Sequence, residues 1–310
     1  MNPKERVIAA LELKQPDDIV PTFELEFQLT EEFFGKSFRN LRDLSGKELD
    51  KAIGENAEFY LEIAETLDYS IIRTGDTRLL RKLVELGADR EYLLCGEADG
   101  TMGIPNGETM VDQAIRLFEK ADEVKRDLDS SVDRGIESGK AQLEAGAECL
   151  TLCADYCFNY GPFLSPAMFS EFVTPYLHRL IEAHRKNGAY VIKHTDGNIM
   201  PILDQLVSCR PHALHSIDPQ AKVDLAEVKR QVGNEVCLAG NVNCGLLQTG
   251  TDEQVEADIL RSLRDGMPGG GYIFCTSNVA FKGMPPQRYS LMLDLRKKFG
   301  RYAPSPTSAQ

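Results

Sequence analysis

The chain has 310 residues, 42% hydrophobic and 27% charged, with a net charge of −13 from 35 basic and 48 acidic side chains. That is enough apolar material for one large core or two smaller ones. The acidic balance, with no long Lys/Arg block, argues against nucleic acid as a partner. The opening MNPKERVIAALELKQPDD lacks the apolar core of a secretion signal, and no run approaches the roughly 20 apolar residues that span a bilayer. A cytoplasmic protein without a membrane partner is therefore expected.

In chain order, Pro3 to Leu13 reads as a helix, with proline in its first turn and Val7, Ile8 and Leu11 at helical spacing. The apolar DDIVPTFELE reads as a first strand, Ala52 to Leu67 as an amphipathic helix and YSIIR (69–73) as a second strand. Arg78 to Leu86 is helical and stops at Gly87, and REYLLCGE (90–97) is the third strand. Glu108 to Ala145 is helical with a break near Ala121 or Asp122, and ECLTLCAD (148–155) is the fourth strand. Further strands are expected at AYVIKH (189–194), HALHSID (212–218), EVCLAG (235–240) and GYIFCT (271–276). Between and after them, helices are expected over Pro166 to Lys186, Ile199 to Leu206, Leu225 to Val232, Asp252 to Arg264 and Pro286 to Phe299. PGGGY (268–272) precedes a strand instead of opening a helix, so it reads as a turn and not a phosphate loop.

Eight short, continuously apolar strands alternating with helices are the pattern of a parallel sheet buried on both faces. The expected fold is a single (β/α)8 TIM barrel with an N-terminal helical extension over 1–302, followed by a disordered tail over 303–310. The eight cysteines at 95, 149, 153, 157, 209, 237, 244 and 275 contain no C-x-x-C pair. Without a secretion signal they read as free thiols, and Cys149, Cys153 and Cys157 as small hydrophobes. His178 and His184, within a helix, read as surface residues.

Chemistry in such a barrel lies at the C-terminal strand ends. These ends carry Glu24 and Glu26, Arg73 and Asp76, Glu97 and Asp99, Asp155 and Tyr156, His194 and Asp196, His215 and Asp218, Asn241 and Asn243, and Thr276 to Asn278. Phe23, Phe27, Tyr156, Phe158 and Tyr160 lie beside them. These rings are suited to sandwiching an aromatic ligand or to sealing the loops. His194, in VIKHTDGNIMP, has three readings. It orients the turn, ligates a divalent metal with Asp196, or acts as an acid or base steered by that carboxylate.

Three segments together resemble the superfamily of uroporphyrinogen decarboxylase and the cobalamin-dependent methyltransferases. They are NPKERVIAALELKQPDDIVP, the run from GPFLSPAMF through VIKHTDGNIMPILDQLV, and VCLAGNVNCGLLQTGTDEQVEADI. The resemblance spans most of the chain apart from about 30–105. It implies the same barrel. Porphyrinogen decarboxylases carry an arginine-rich segment after the first strand to grip their polycarboxylate substrate, whereas this chain has PTFELEFQLTEEFF. Acids there would repel such a ligand.

The coenzyme M branch holds zinc through His-x-Cys and a distant Cys. Here the first pair is His194 and Asp196, and the distant position falls at about Asn278. Loss of both thiolates argues against a thiol acceptor. The resemblance therefore points to a substrate-side methyltransferase of a corrinoid-dependent O-demethylase. Such an enzyme moves a methyl group from a methoxylated aromatic, or another methylated small molecule, to the Co(I) of a separate corrinoid protein.

In this reading His194, Asp196, Asp155, Glu24 and Glu26 serve catalysis. Phe23, Tyr156, Tyr160, His215, Asn241 and Asn278 contact substrate, and His194 and Asp196 hold a Zn²⁺. The partners are the corrinoid protein, the small methyl donor and, in a homodimer, a second copy. The alternatives are a decarboxylase of a smaller acid and a non-catalytic corrinoid- or tetrapyrrole-binding protein.

Overall fold

The computed structural model describes residues 1–303, so all but Ala303 of the expected tail lies outside the described residues. Seven parallel strands form a curled sheet in the order β1 (Ile71–Arg73), β2 (Leu93–Glu97), β3 (Cys149–Leu152), β6 (Tyr190–His194), β7 (Ala213–Ser216), β8 (Cys237–Val242) and β9 (Tyr272–Thr276). The remaining two, β4 (Cys157–Phe158) and β5 (Gly161–Pro162), make a small antiparallel hairpin after β3 that the sequence pattern did not reveal.

The expected first strand is not a regular strand. Its place between β9 and β1 is nevertheless filled: the Pro21 carbonyl accepts from Phe274 N at 2.9 Å and the Thr22 carbonyl from Ser70 N at 2.7 Å. Pro21 has no N–H to donate, so this eighth stave pairs through isolated bridges (Thr22 with Phe274, Phe27 with Ala280) and the barrel closes without a continuous ladder.

Alternation sorts the strand residues. Ile71, Leu93, Cys95, Cys149, Ile192, Ala213, Cys237, Ala239, Ile273 and Cys275 pack together inside the barrel, with Phe23 from the eighth stave. Four of these are cysteines, small enough to fill the narrow interior. All eight cysteines are free. The helix Pro3–Leu11 joins this inner cluster through Val7, Ala10 and Leu11. Its start is set by a capping box, in which the Asn2 side chain accepts from Glu5 N and the Glu5 carboxylate from Asn2 N.

The alternate strand positions, among them Ile72, Leu94, Val191, Leu214, Leu238 and Phe274, pack outward against the helical layer. The long helical stretch divides at Lys120 into Met110–Glu119 and Ala121–Glu144, where a break was expected. Gly46–Leu67 begins earlier than its apolar stripe implied. PGGGY is a turn, with Gly269, Gly270 and Gly271 all at positive φ. His178 is exposed, but His184 is fully buried, so the surface placement holds for the first histidine only. His184 faces the close approach at Gly139, where an added Cβ would collide with its ring.

Candidate active site

The parity that sends Ile192 and Ala213 into the barrel also sends His194 and His215, two residues on, into its mouth. The two are paired across β6 and β7, and their Nδ1 atoms lie 2.8 Å apart. One must donate and the other accept. Burial keeps both rings neutral: His215 is pushed down to about 3 and His194 well below the ordinary histidine range, helped by neighbouring cations.

His194 Nε2 faces two carboxylates, with Asp155 Oδ1 at 3.6 Å and Asp196 Oδ1 at 3.8 Å. One ligand atom from each of the three residues lies within 4.8 Å of the others. Asp155 sits after β3, where its Oδ1 accepts from Asp196 N at 2.9 Å. Asp196 also accepts from Ser216 Oγ at 2.9 Å and from the Asn278 amide. Burial, followed by the negative charges of Asp155 and Asp218, pushes Asp196 up to about 7. A neutral imidazole between two mutually repelling carboxylates is a donor set that fits Zn²⁺ or another divalent ion of borderline to hard character. Asp155 joins the ligand pair expected from sequence, and the Asn278 amide braces it.

A second region opens elsewhere on the same end of the barrel. Between the stretch 24–27, the helix Gly46–Leu67 and the ends of β1 and β2 lies a cavity of about 390 Å³. Phe27, Phe38, Tyr60 and Tyr69 form aromatic walls, and Glu24, Glu26, Arg73 and Glu97 are the charged lining residues. Arg73 is already engaged, with Thr151 Oγ1 at 2.8 Å, the Leu25 carbonyl at 2.9 Å and Glu97 at 2.6 Å. Glu24 is buried, and among the described residues no cation lies against it. Its Oε2 lies 2.5 Å from Thr276 Oγ1, and its Oε1 lies 3.2 Å from both Thr276 N and the Tyr289 hydroxyl. Burial pushes this carboxyl up to about 8 despite those hydrogen bonds.

Several expected substrate contacts sit elsewhere. Phe23 is fully buried in the barrel interior, edge-on to His215 with ring centres 5.6 Å apart, and Phe27 takes the wall position. The backbone turns at Gly240 (φ +135°), so Asn241 leaves the inner face and bonds the Ile217 carbonyl and Arg261. Tyr160 is 82% exposed on the β4–β5 hairpin, stacked on Phe158.

Tyr156 is buried and braces a loop. Its hydroxyl meets Thr101 Oγ1 at 2.6 Å, and its ring faces Lys193 Nζ at 4.2 Å from the ring centre. Lys193 is fully buried and pairs with Asp99 at 3.3 Å. Asp99 is held at about 2, because Lys193 and donated backbone hydrogen bonds outweigh the opposing effect of burial. Asp99 Oδ2 accepts from Ala154 N at 2.8 Å, fixing the residue before Asp155. Residues missed from sequence are Ser216, which braces Asp196, and Lys193, hidden inside an apolar strand.

Residues 106–299 match the family model described as uroporphyrinogen decarboxylase (URO-D). The chain belongs to the uroporphyrinogen decarboxylase family. Among curated relatives, the uroporphyrinogen decarboxylase of Pseudoalteromonas translucida is 24% identical over 179 residues, covering 56% of this chain and 47% of that protein. That of Syntrophotalea carbinolica is 26% identical over 178 residues, 57% of this chain and 49% of the relative. The chain thus spans about half the length of the curated relatives it matches.

A methyltransferase from Methanosarcina mazei shares the fold with a TM-score of 0.70 at 16% identity, covering 96% of this chain and 98% of the other. A B12-independent methionine synthase from a Shewanella species superposes with a TM-score of 0.57 at 13% identity, over 90% of this chain and 96% of that one. Among the described residues no helix is long and apolar enough to cross a membrane.

Proposed function

We propose that this chain is the substrate-side methyltransferase of a corrinoid-dependent O-demethylating system. It takes a methyl group from a methoxylated aromatic, or another methylated small molecule, to the Co(I) of a separate corrinoid protein. The observation that carries this reading is the lining of the mouth cavity. Aromatic rings and three glutamates surround a single arginine that Glu97 already neutralises. An eightfold carboxylate such as uroporphyrinogen would meet Glu26 and Glu97 in a partly desolvated space whose one arginine is already paired, and there like charges repel. A one-ring, uncharged ligand suits both the walls and the volume.

His194, Asp155 and Asp196 would hold a zinc ion at the ends of β3 and β6. When bound, that ion supplies Lewis-acid polarisation of the ligand oxygen. The protein's own residues do the rest. Ser216 and Asn278 orient Asp196, and His215 sets the ring of His194. The aromatic walls exclude water from the ether.

One feature favours a second reading. Arg73 at the cavity is a cation that a small carboxylate could recruit from Glu97, which is half exposed. This suits a decarboxylase of a smaller acid.

The test supplies the purified protein with a reduced corrinoid protein, a reductant, and panels of methoxyarenes and methylamines. Release of the demethylated product only when corrinoid is present is the expected result. Corrinoid-independent CO₂ release from small aromatic acids would replace this reading with the second. Spectral perturbation of bound corrinoid without any conversion would leave a binding protein.

A further inference from the structure

Glu24 and Tyr69 both line the mouth cavity, and Tyr289 lies behind them, bonded to each. Tyr69 and Tyr289 share a short hydrogen bond between their hydroxyls, and the Tyr289 hydroxyl is 3.2 Å from Glu24 Oε1. The three residues come from distant places: the eighth stave, the end of the helix–β1 connection, and the helix Pro286–Phe299. All three polar ends are buried. A continuous line of exchangeable hydrogens that ends at a cavity is costly to bury for packing alone, since each hydroxyl needs a partner.

We propose that Glu24, Tyr289 and Tyr69 form a proton relay into the cavity, Tyr69 delivering a proton to the oxygen of a bound aryl methyl ether and Glu24 supplying it. The inference rests on the methyl-transfer reading above. Thr276 holds the carboxyl in place, its hydroxyl bonded to Glu24 Oε2 and its backbone N–H donating to Oε1. Tyr289 donates to Oε1 when Glu24 is ionised, and the same 3.2 Å contact carries the carboxyl proton to Tyr289 when Glu24 is protonated. The Tyr289 O–H then points to the Tyr69 oxygen, and the Tyr69 O–H to the ligand.

In the step, the methyl carbon–oxygen bond breaks and its electron pair stays on oxygen. The methyl carbon takes its new pair from the reduced corrinoid. The oxygen takes the Tyr69 proton, Tyr69 that of Tyr289, and Tyr289 that of Glu24. The products are a neutral phenol and the Glu24 carboxylate, which solvent reprotonates. Both tyrosines end the step unchanged. A phenolate is a poor leaving group near neutral pH, which is where a delivered proton matters most.

The titratable groups facing Glu24 are the Tyr69 and Tyr289 phenols and the Cys244 and Cys275 thiols, all held neutral by burial. None is a cation that would strip the carboxyl of its proton. The raised position of Glu24, about 8, agrees with a donor that is loaded at neutral pH.

The relay is tested without corrinoid, by titrating bound para-nitrophenol, whose phenolate is yellow and whose phenol is not. The O–H that Tyr69 presents favours the phenolate, so the wild type is expected to ionise the bound probe at lower pH than the relay variants do. Tyr289→Phe, which breaks the chain but keeps the ring, should raise the bound probe's proton affinity by about tenfold. Glu24→Gln should do the same, while the affinity of Tyr289→Phe, whose altered group lies behind the cavity wall, for para-nitrotoluene stays at the wild-type value. Should Tyr289→Phe fail to fold, Tyr69→Phe removes the last donor and carries the same expectation. Bound-probe ionisation that is identical in wild type and variants, or no probe binding at all, overturns the relay. Because the probe titration needs no methyl transfer, its result is independent of the outcome of the corrinoid assay.

Discussion

The two sides of the barrel mouth each hold a carboxyl raised far above its ordinary range, and they raise it by different physics. At the ends of β6 and β7, Asp196 is elevated by burial and also by the charges of Asp155 and Asp218. Across the mouth, Glu24 is elevated by burial alone, against the pull of three hydrogen bonds. An acid crowded by other acids beside a neutral imidazole is relieved by a cation. An acid isolated among phenols and thiols is relieved only by keeping its proton. The first arrangement fits a metal site and the second a proton donor. The last strand ties them together, since Thr276 bonds Glu24 and Asn278 bonds Asp196 two residues later.

The strongest test of this contrast is His194→Ala. Removing the shared nitrogen donor should strip zinc from the protein and lower kcat/KM by about 10²–10⁴-fold, read by metal analysis beside the demethylation assay. Asp196→Asn should lose zinc and activity together. Zinc retained in a dead Asp196→Asn protein would make Asp196 a proton source and erase the distinction between the two sides.

Lys193→Met probes the scaffold beneath the cluster. It leaves Asp99 buried without its cation, and urea denaturation should show a loss of roughly 3–5 kcal/mol. The loop that presents Asp155 should loosen with it, seen as faster amide exchange at Ala154.

Glu24→Gln sharpens the other side. The folded chain keeps a carboxyl proton that the unfolded chain releases in the ordinary range, near 4.5. This contribution to stability is complete below that range and falls as pH rises towards about 8, where it levels off. Thermal unfolding across that window should show a decline worth a few kcal/mol in the wild type and a flatter curve in Glu24→Gln. Added zinc should leave the Glu24 part of that curve unchanged while altering the part that belongs to Asp196.

The smallest effect is expected for Tyr160→Ser. This exposed ring lies outside the cavity, so stability should move by no more than about 0.5 kcal/mol. Binding of para-nitrophenol should not change.

The fold was largely legible in the sequence, because parallel strands buried on both faces must be apolar throughout and their helices must carry a 3.6-residue stripe. His194 and Asp196 were legible for a related reason. They end an apolar run at a glycine turn, and in a barrel such ends converge. Phe23 and Asn241 were misplaced because pattern alone does not show where alternation breaks. Gly240 turns the strand outward, and Pro21 makes the first stave irregular. His184 and Lys193 look like surface residues by type, yet tertiary packing buries both.

By itself, then, the sequence determined the barrel and which strand ends would meet, since periodicity and burial are local properties of the chain. Only the tertiary structure decided which polar groups meet which. Asp155 joining His194, Ser216 bracing Asp196, and Tyr289 linking Glu24 to Tyr69 are contacts between residues 20 to 265 positions apart. Their partners are chosen by how strands stack around the barrel, and no spacing along the chain records that choice.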